Sequence, residues 1–463
     1  MTDLADQIGE AGQRRFRPYP EYTDSGVKWL GKIPAHWNVK RLKTMASVRL
    51  SNVDKKSKGG QVPVKLCNYV DVYYNDRITD DLEFMDATAT REQVRRFLLQ
   101  VGDVVITKDS ESWNDIAVPS VVARFLTNVL CGYHLALIKP WPGLDGRYLA
   151  YQFSATGMRD QFHIAANGIT RFGLGGATIR TGLFPIAPIK EQGTVADFLE
   201  RETAVIDKLV SRKERLVDLL QEKRAALISR AVTRGLDPSV LVKDSGIGWL
   251  GKIPAHWKVE RLKTMASVRL SNIDKKSKEG EVPVKLCNYV DVYYNEHITG
   301  EIEFMNATAT QDQVRNFLLR TGDVVITKDS ESWNDIAVPA VVTKGFRDVL
   351  CGYHLAQIKP RTDLDGRFLA YQFSAIGIRE QFHIAANGIT RFGLGRDAIC
   401  TGKFPMAPIK EQFVIAAFLD RETAKIDNLV AKVHEAIDLL KEFRSALISA
   451  AVTGRIDVRE EVT

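Results

Sequence analysis

SGVKWLGKIPAHW, residues 25–37, returns as SGIGWLGKIPAHW at residues 245–257, an offset of 220 positions. The same offset holds without a gap from residues 25–234 to residues 245–454, and 152 of these 210 aligned positions are identical, about 72%. A period of this length is far above the 20–50 residues of solenoid repeats. The chain therefore contains two copies of one fold, each long enough to have a core of its own.

The composition is that of an ordinary globular protein. Of 463 residues, 45% are hydrophobic and 26% are charged, which excludes a disordered or fibrous chain. No apolar run is long enough for a membrane span, and the N-terminal residues lack the apolar run of a secretion signal, so we expect a cytoplasmic protein without membrane contact. Five cysteines without a CxxC pair argue against a disulfide framework and a zinc module. The net charge of +7 is compatible with a polyanionic partner.

Each repeat has two parts. The first, about residues 25–188 in the first copy, contains runs such as GDVVITK and VLCGYHLALIKP, which are typical of strands. A helical patch, RYLAYQFSATGMRDQF at residues 147–162, follows them. The character then changes, because no Gly or Pro occurs between Thr194 and Arg234. We therefore predict an α+β globular domain and then one long helix in each repeat.

Apolar residues follow a 4-3 spacing along each predicted long helix, which is the pattern of a coiled coil. Seven of ten seam positions are apolar in the first helix and nine of ten in the second. The first seam contains Val195, Leu199, Glu202, Ile206, Leu209, Lys213, Leu216, Leu220, Lys223 and Leu227. The second contains Ile415, Leu419, Glu422, Ile426, Leu429, Val433, Ala436, Leu440, Phe443 and Leu447.

The short connection after the first helix predicts how the two helices run. The second globular domain starts about a dozen residues after the first helix ends, so the second helix has to run back antiparallel along the first. We predict an α+β chain of two tandem globular domains separated by two long antiparallel coiled-coil helices with pseudo-two-fold symmetry, which duplex DNA would match. The predicted divisions are a leader at 1–24, domains at 25–188 and 237–408, helices at 189–236 and 409–455, and a tail at 456–463.

A polar loop after GDVVIT is the first candidate for contact with DNA. Its sequence, KDSESWND at residues 108–115, recurs unchanged at residues 328–335. Hydrogen-bonding side chains of both polarities surround one tryptophan, a mixture suited to reading base edges or stacking a base. The alternative is a structural loop whose tryptophan covers the core.

The second candidate is NGITRFGLG at residues 167–175, which also recurs unchanged. Its glycines allow close approach of the backbone, and Arg171 or Arg391 is expected to reach a guanine or a phosphate. The alternative is that this segment has a structural role, because Phe172 and Leu174 are expected to lie in the core.

A basic stretch at residues 39–58, repeated at 259–278, is the third candidate, because clustered Lys and Arg neutralise phosphates. The alternative is a solvated charged face. The candidate DNA-binding residues are Lys55, Lys56, Lys108, Ser110, Glu111, Ser112, Trp113, Asn114, Asn167, Thr170, Arg171, Lys275, Lys276, Lys328, Ser330, Glu331, Ser332, Trp333, Asn334, Asn387, Thr390 and Arg391.

No catalytic constellation is visible in the sequence. The chain has no phosphate-cradling Gly-rich loop, no GxSxG elbow, no HExxH and no acidic signature of a nuclease. His134 and His163 have no second histidine or carboxylate at metal-ligand spacing, so we expect structural histidines and no metal site. A recognition or scaffold subunit is the function class that this pattern favours.

The repeated WLGKIPAHW, the FPIAPIKEQ before the first long helix and the helix ends KRAALISRAVTRGL and FRSALISAAVTGRI carry a family resemblance. On these motifs the chain resembles the DNA-specificity subunits of type I restriction-modification systems over nearly all of residues 25–456. The resemblance implies that the globular domains are target recognition domains that bind double-stranded DNA and that the long helices are spacers. By position, it places DNA contact on the loops 108–115 and 167–171 and their copies.

The resemblance also implies the partners. Two methyltransferase subunits would use S-adenosylmethionine to methylate adenine N6, and restriction-translocase subunits would hydrolyse ATP with Mg²⁺. These cofactors would belong to the partners, none to this chain, which would be a non-catalytic subunit. The helices would supply the docking surface for the methyltransferase subunits.

One feature departs from the family pattern, in which the spacers are alike and the recognition domains usually differ. Here 106 of 140 positions are identical from residue 45 to 184, against 30 of 50 from residue 185 to 234. Two such domains related by a dyad are expected to read a near-palindromic, interrupted target. Substitutions that would break the symmetry are Arg77/His297, Asp86/Asn306, Arg91/Gln311, Arg96/Asn316 and Gly176/Arg396.

Two other interpretations stay open at this point. One is the specificity subunit of a related system in which nuclease and methylase are fused in one partner. The other is a non-catalytic coiled-coil adaptor whose globular ends bind proteins.

Overall fold

The structure is a computed structural model that describes residues 16–168 and 170–461. The described residues form two compact units. The first unit holds the residues up to Glu214 and those from His434 onwards, and the second holds Arg215–Val433. Each unit thus contains one globular domain and parts of both long helices, and the fold is mixed α+β.

The globular domain of the first unit is built on a five-stranded central sheet. Its strand order is Ala46–Leu50, Leu135–Pro140, Val104–Thr107, Pro119–Val122 and Arg77–Ile78. All neighbours are antiparallel except the last pair, which is parallel. The apolar strand Val104–Thr107 is buried along its whole length, as expected for the middle of a sheet covered on both faces.

A three-stranded side sheet packs against one face of the central sheet. Its order is Val129–Cys131, Val62–Cys67 and Met85–Ala89, and it shares a core with the central strands through Val105 and Leu137. The remaining strands of this unit are Tyr22–Asp24, Lys32–Pro34, Asn38–Arg41, Asp109–Ser110, Phe172–Gly173 and Leu183–Ile186. Its short helices are Tyr69–Tyr73, Arg91–Phe97, Gly146–Ser154, Thr156–Ala165 and Gly176–Thr181, with 3-10 turns at Leu42–Thr44 and Trp113–Asp115.

The predicted helical patch at residues 147–162 is two helices, not one. The chain becomes extended at Ala155, between Gly146–Ser154 and Thr156–Ala165. Phe153 and Phe162 would point in opposite directions on one continuous helix, because nine residues make two and a half turns. The break lets their rings stack at 5.1 Å and lets both pack against Phe184, so burial of these side chains overrides local helix propensity.

The globular domain of the second unit repeats these elements at the offset of 220. Its strands are Val242–Asp244, Lys252–Pro254, Lys258–Arg261, Ala266–Leu270, Val282–Cys287, His297–Ile298, Met305–Ala309, Val324–Thr327, Asp329–Ser330, Pro339–Val342, Val349–Cys351, Leu355–Pro360, Phe392–Gly393 and Lys403–Met406. Its short helices are Leu262–Met265, Tyr289–Tyr293, Gln311–Phe317, Gly366–Ser374, Ile376–Ala385 and Arg396–Thr401, with a 3-10 turn at Trp333–Asp335.

The two long helices span Ile189–Arg234 and Ile409–Val452. Within the first unit their ion pairs, Asp207 with Arg444 at 2.9 Å and Glu214 with Lys441 at 4.0 Å, show that the segments run antiparallel, because the number falls on one helix as it rises on the other. Within the second unit, Arg224 of the first helix pairs with Asp427 of the second at 2.9 Å. The antiparallel pairing predicted from the short connection is thus present in the first unit.

The predicted seam is wrong at three leucines. Leu209, Leu216 and Leu429 are 39%, 40% and 45% exposed, whereas Val217 and Ile437, outside the seam, are buried. A strict heptad assumes 3.5 residues per turn, but a straight helix has 3.6, so the buried stripe drifts by about 20° per heptad. Leu199 and Val217 are both buried and lie 18 residues apart, which is five turns of a straight helix.

Residues that the sequence assigned to a leader and a tail pack in the first unit's core. Phe16, Tyr19, Ile456 and Val458 are buried there, and the Asp457 amide donates to the Arg17 carbonyl at 2.7 Å. In the part of the chain that the structure describes, no helix combines the length and apolarity needed to cross a membrane.

Candidate nucleic-acid interface

A short β-ladder joins the two candidate loops of the first domain. Asp109–Ser110, which follows the central strand Val104–Thr107, pairs antiparallel with Phe172–Gly173. The Leu174 amide also donates to the Lys108 carbonyl at 2.8 Å. Two segments about 60 residues apart in the sequence therefore form one surface, supported directly by the central sheet.

The second loop is a tight hairpin that requires a glycine at Gly168. Asn167 and Gly173 exchange both backbone hydrogen bonds, at 3.1 and 2.9 Å. Gly168 has a φ of 138°, and a Cβ there would lie 1.8 Å from the Arg171 carbonyl oxygen, a separation that no side chain tolerates. The hairpin leaves Asn167, Thr170 and Arg171 exposed.

A charged network connects the two loops to the turn before strand Leu135–Pro140. Lys108, which is buried, forms an ion pair with Asp109 and lies over the Tyr133 ring at 5.1 Å. His134 Nδ1 lies 3.2 Å from Asp109 Oδ2, and Arg171 Nη2 lies 3.2 Å from His134 Nε2. One carboxylate thus holds Lys108 directly and Arg171 through an imidazole, so the exposed end of the network is a cation.

A chain of hydroxyl donors fixes the other side of the first loop. The Tyr69 hydroxyl donates to Ser110 Oγ, which donates to Asp115, both at 3.3 Å. The Tyr73 hydroxyl donates to the same carboxylate at 3.0 Å, and this raises the pKa of Tyr73. Because the donors end on a carboxylate, the loop is held in one conformation.

Trp113 is anchored at one edge and open at the other. Its indole Nε1 donates to the His163 carbonyl at 2.8 Å, and its ring lies 4.6 Å from the His163 ring. The residue is still 42% exposed. His163 itself is buried, its Nε2 lies 3.1 Å from the Ile116 carbonyl, and burial lowers its pKa. A tryptophan so placed offers an aromatic surface in a fixed position.

The sequence reasoning missed four side chains of this surface, namely Tyr69, Tyr73, Tyr133 and His134. All four lie in runs that look like buried strands by composition. The available signal was their repetition, because KLCNYVDVYY and VLCGYHLA recur without change. The other predicted side chains of the loop, Glu111, Ser112 and Asn114, are exposed.

The second domain carries the same arrangement. Asp329 pairs with Lys328 and lies 3.4 Å from His354 Nδ1, and Arg391 Nη2 lies 3.2 Å from His354 Nε2. Burial lowers the pKa of His354, and the neighbouring Arg391 acts in the same direction. The Trp333 indole Nε1 donates to the carbonyl of His383, the counterpart of His163, at 2.9 Å. Ser330, Glu331, Ser332, Asn334, Asn387 and Thr390 occupy the positions of their first-domain counterparts.

No protein-family profile matches the chain. Among curated proteins it is 20% identical over 287 residues to the type I restriction enzyme MjaVIII specificity subunit from Methanocaldococcus jannaschii, covering 59% of this chain and 62% of that protein. It is also 20% identical over 438 residues to the type I restriction enzyme StySPI specificity subunit from Salmonella potsdam, covering 92% and 90%.

Two solved structures have a similar fold. A chain from a study of complex assembly and conformational transition of the type I R-M system matches with a TM-score of 0.68 at 14% identity, covering 91% of this chain and 98% of that one. The HsdS subunit from Thermoanaerobacter tengcongensis matches with a TM-score of 0.50 at 16% identity, covering 92% and 98%. The chain is a relative of the type I specificity subunits. It has their fold, with two sheet-rich domains and two long helices.

The lysines predicted in the basic stretch lie on other loops than the charged network. Lys55, Lys56, Lys275 and Lys276 are exposed, in the loops that follow strands Ala46–Leu50 and Ala266–Leu270. Lys56 lines a separate polar cleft. Within residues 16–168 and 170–461, no group of three or more His, Cys, Asp or Glu side chains is arranged to hold a metal ion.

Proposed function

We propose that the chain is the DNA-recognition subunit of a type I restriction-modification complex and that each globular domain reads one half of a bipartite target. The observation that carries this proposal is the duplicated surface of Arg171 and Arg391, each exposed and held on an imidazole, with a partly exposed tryptophan on the loop that pairs with the arginine's hairpin. The relationship to proteins named type I specificity subunits supports the same function.

The exposed side chains of this surface suit base reading in the major groove. An arginine donates two hydrogen bonds to guanine, an asparagine pairs with adenine and a glutamate accepts from cytosine. The exposed side chains of these types on the two loops are Arg171, Asn114, Asn167 and Glu111. Lys108 is buried and ion-paired with Asp109, so its role would be to support the loop and not to contact a base.

The proposed target is interrupted and nearly palindromic. Both loops are identical in the two domains, and two identical readers related by a dyad bind the same half-site on opposite strands. The gap corresponds to the stretch of DNA between the two domains.

The proposed partners are two methyltransferase subunits and the restriction-translocase subunits. S-adenosylmethionine, ATP and Mg²⁺ would be bound by these partners, and adenine N6 methylation would take place there. Several exposed apolar side chains on the long helices support a docking role, because apolar surface gains free energy when a partner buries it. They are Val205, Leu209, Leu216, Leu219, Phe413, Val414, Leu429 and Leu439.

The test is the affinity of the complete methyltransferase complex for its target. We expect Arg171→Ala with Arg391→Ala to weaken specific binding by about 1–3 kcal/mol per lost base contact. The matched control is Arg95→Ala with Arg315→Ala, which removes the same charge from exposed positions outside the loops. Equal affinities of the two variants would remove the arginines from the reading surface. Binding without sequence preference or salt dependence would favour a protein-binding adaptor.

A further inference from the structure

The first domain contains a polar cleft of about 330 Å³ outside the two candidate loops. One wall is the loop that carries Lys56 and Lys58, and the other is the helix that carries Arg96. Gln93 Nε2 on the helix donates to the carbonyl of Asn52 on the loop at 3.2 Å and joins the two walls, and the Lys58 amide donates to Thr88 Oγ1 on the adjoining strand Met85–Ala89 at 2.8 Å. The cleft is therefore a fixed feature of the fold.

The cations of the cleft are free of internal ion pairs. Lys56, Lys58 and Arg96 are exposed, and no salt bridge joins them to a carboxylate within the described parts of the chain. With Asp54 and Glu92, the lining holds three cations and two carboxylates. Its polar character and positive balance suit an anion.

The second domain differs at this place, although its reading loops are identical to those of the first. Glu281 stands at the position of Gln61, and Asn316 at the position of Arg96. The equivalent lining residues thus hold two cations and three carboxylates. Two neighbouring differences, Gly59/Glu279 and Arg91/Gln311, act in the same direction. Four substitutions that all lower the charge converge on one cleft.

The cleft and the charged network of the first domain lie at the same end of the central sheet. The Ser51 amide donates to the Leu135 carbonyl at 3.0 Å. Ser51 precedes Asn52 of the cleft, and Leu135 follows His134 of the charged network. A DNA strand bound by Arg171 would therefore pass the same end of the sheet as the cleft, and its anionic groups are the backbone phosphates.

We propose that the cleft of the first domain binds a DNA backbone phosphate and that the second domain lacks this contact. The inference rests on the proposed DNA-recognition function and adds an asymmetry to it. The two domains read bases alike but hold the backbone unequally, because Arg96 and Gln61 in one domain are Asn316 and Glu281 in the other.

The chain provides its own reciprocal variants. The first swap is Gln61→Glu with Arg96→Asn, and the second is Glu281→Gln with Asn316→Arg. Each replaces residues by their counterparts in the other domain. The local hydrogen bond survives, because Thr88 donates to Gln61 at 2.9 Å and the equivalent Thr308 donates to Glu281 at 2.7 Å. Misfolding of either variant is therefore not expected.

The readout is the slope of log affinity against log salt concentration for the assembled methyltransferase complex on its target DNA. Each phosphate contact contributes about 0.9 to this slope, or about 3.5-fold in affinity between 50 and 200 mM salt. We expect the first swap to lower the slope by about this amount, the second to raise it, and both together to restore the wild-type value. Arg95→Asn, the same substitution as at Arg96 but on the exposed neighbouring residue outside the cleft, is expected to change the slope less than Arg96→Asn alone.

Any other order of the slopes would overturn the proposal. If the wild-type complex binds specifically and all four chains share one slope, the cleft contact is wrong while the proposed function stands. If the wild-type complex shows neither sequence preference nor salt dependence, the proposed function fails first.

Discussion

Arg171 is exposed but restrained. A free arginine side chain loses about 2 kcal/mol of rotamer entropy when it is fixed by a ligand. The contact with the His134 ring removes part of that freedom beforehand, and Asp109 fixes the ring in turn. Asp109 also balances the buried Lys108. Preorganisation of this kind is what a side chain that discriminates between bases requires.

His163 gives the folded chain a pH dependence. Burial lowers the pKa of His163 and of its copy His383 below 6.5 in the folded state. The unfolded state therefore binds more protons between that lower pKa and 6.5. Stability is complete above pH 6.5 and is lost as the pH falls through the folded-state pKa. We expect the thermal unfolding midpoint to fall between pH 7.5 and 5.5.

The variant His163→Gln with His383→Gln separates this effect from other titrating groups. A glutamine amide donates to the Ile116 carbonyl as a neutral imidazole does but does not titrate. Its unfolding midpoint is expected to depend less on pH over the same window, as measured by scanning calorimetry at constant ionic strength. Identical pH profiles of the two proteins would show that neither histidine is the cause.

Some of these residues were predictable from the sequence, and some were not. The loop Lys108–Asp115 was found because it is polar, contains one tryptophan and recurs unchanged. His134 was not found, because its role depends on contacts with Asp109 and Arg171, which lie 25 and 37 residues away along the chain. Only the pairing of strands brings them together, and no local pattern records a pairing of that range.

At the scale of elements, the long helices were predictable in length and direction but not in every contact. The absence of Gly and Pro indicated where they run, and the short connection indicated the antiparallel pairing. The buried stripe follows the 3.6-residue period instead of the heptad. It therefore includes Val217 and excludes Leu209 and Leu216.

Two leucines of the first long helix test this correction. Leu199 is fully buried in the core of the first unit, whereas Leu209 is 39% exposed. Leu199→Ala is expected to lower the free energy of unfolding by about 2–5 kcal/mol through lost burial and cavity formation. Leu209→Ala, the matched control, is expected to change it by about 0.5 kcal/mol. Urea unfolding followed by circular dichroism measures the free energy of unfolding of both variants. Equal losses would support the heptad seam that the sequence predicted.

At the scale of the whole molecule, duplication has preserved the residues proposed to read bases better than those proposed to bind the backbone. Residues 105–114 and 165–174 are identical to their copies, whereas the cleft lining differs in charge. Under the proposed function, identical loops would read identical half-sites, and the two-fold symmetry predicted from the sequence would invert them. Unequal clefts would then affect total affinity and its salt dependence without changing the bases that are read.

The proposed target is testable in cells that carry the chain with its methyltransferase subunits. Single-molecule sequencing of methylated adenines is expected to return two inverted half-sites that are the same or nearly the same, separated by a fixed gap. Arg171→Ala alone and Arg391→Ala alone are each expected to reduce methylation, and to similar extents, because either domain occupies either half of a palindrome. Two unrelated half-sequences, or a strong effect from only one arginine, would mean that the differences outside the loops decide the bases after all.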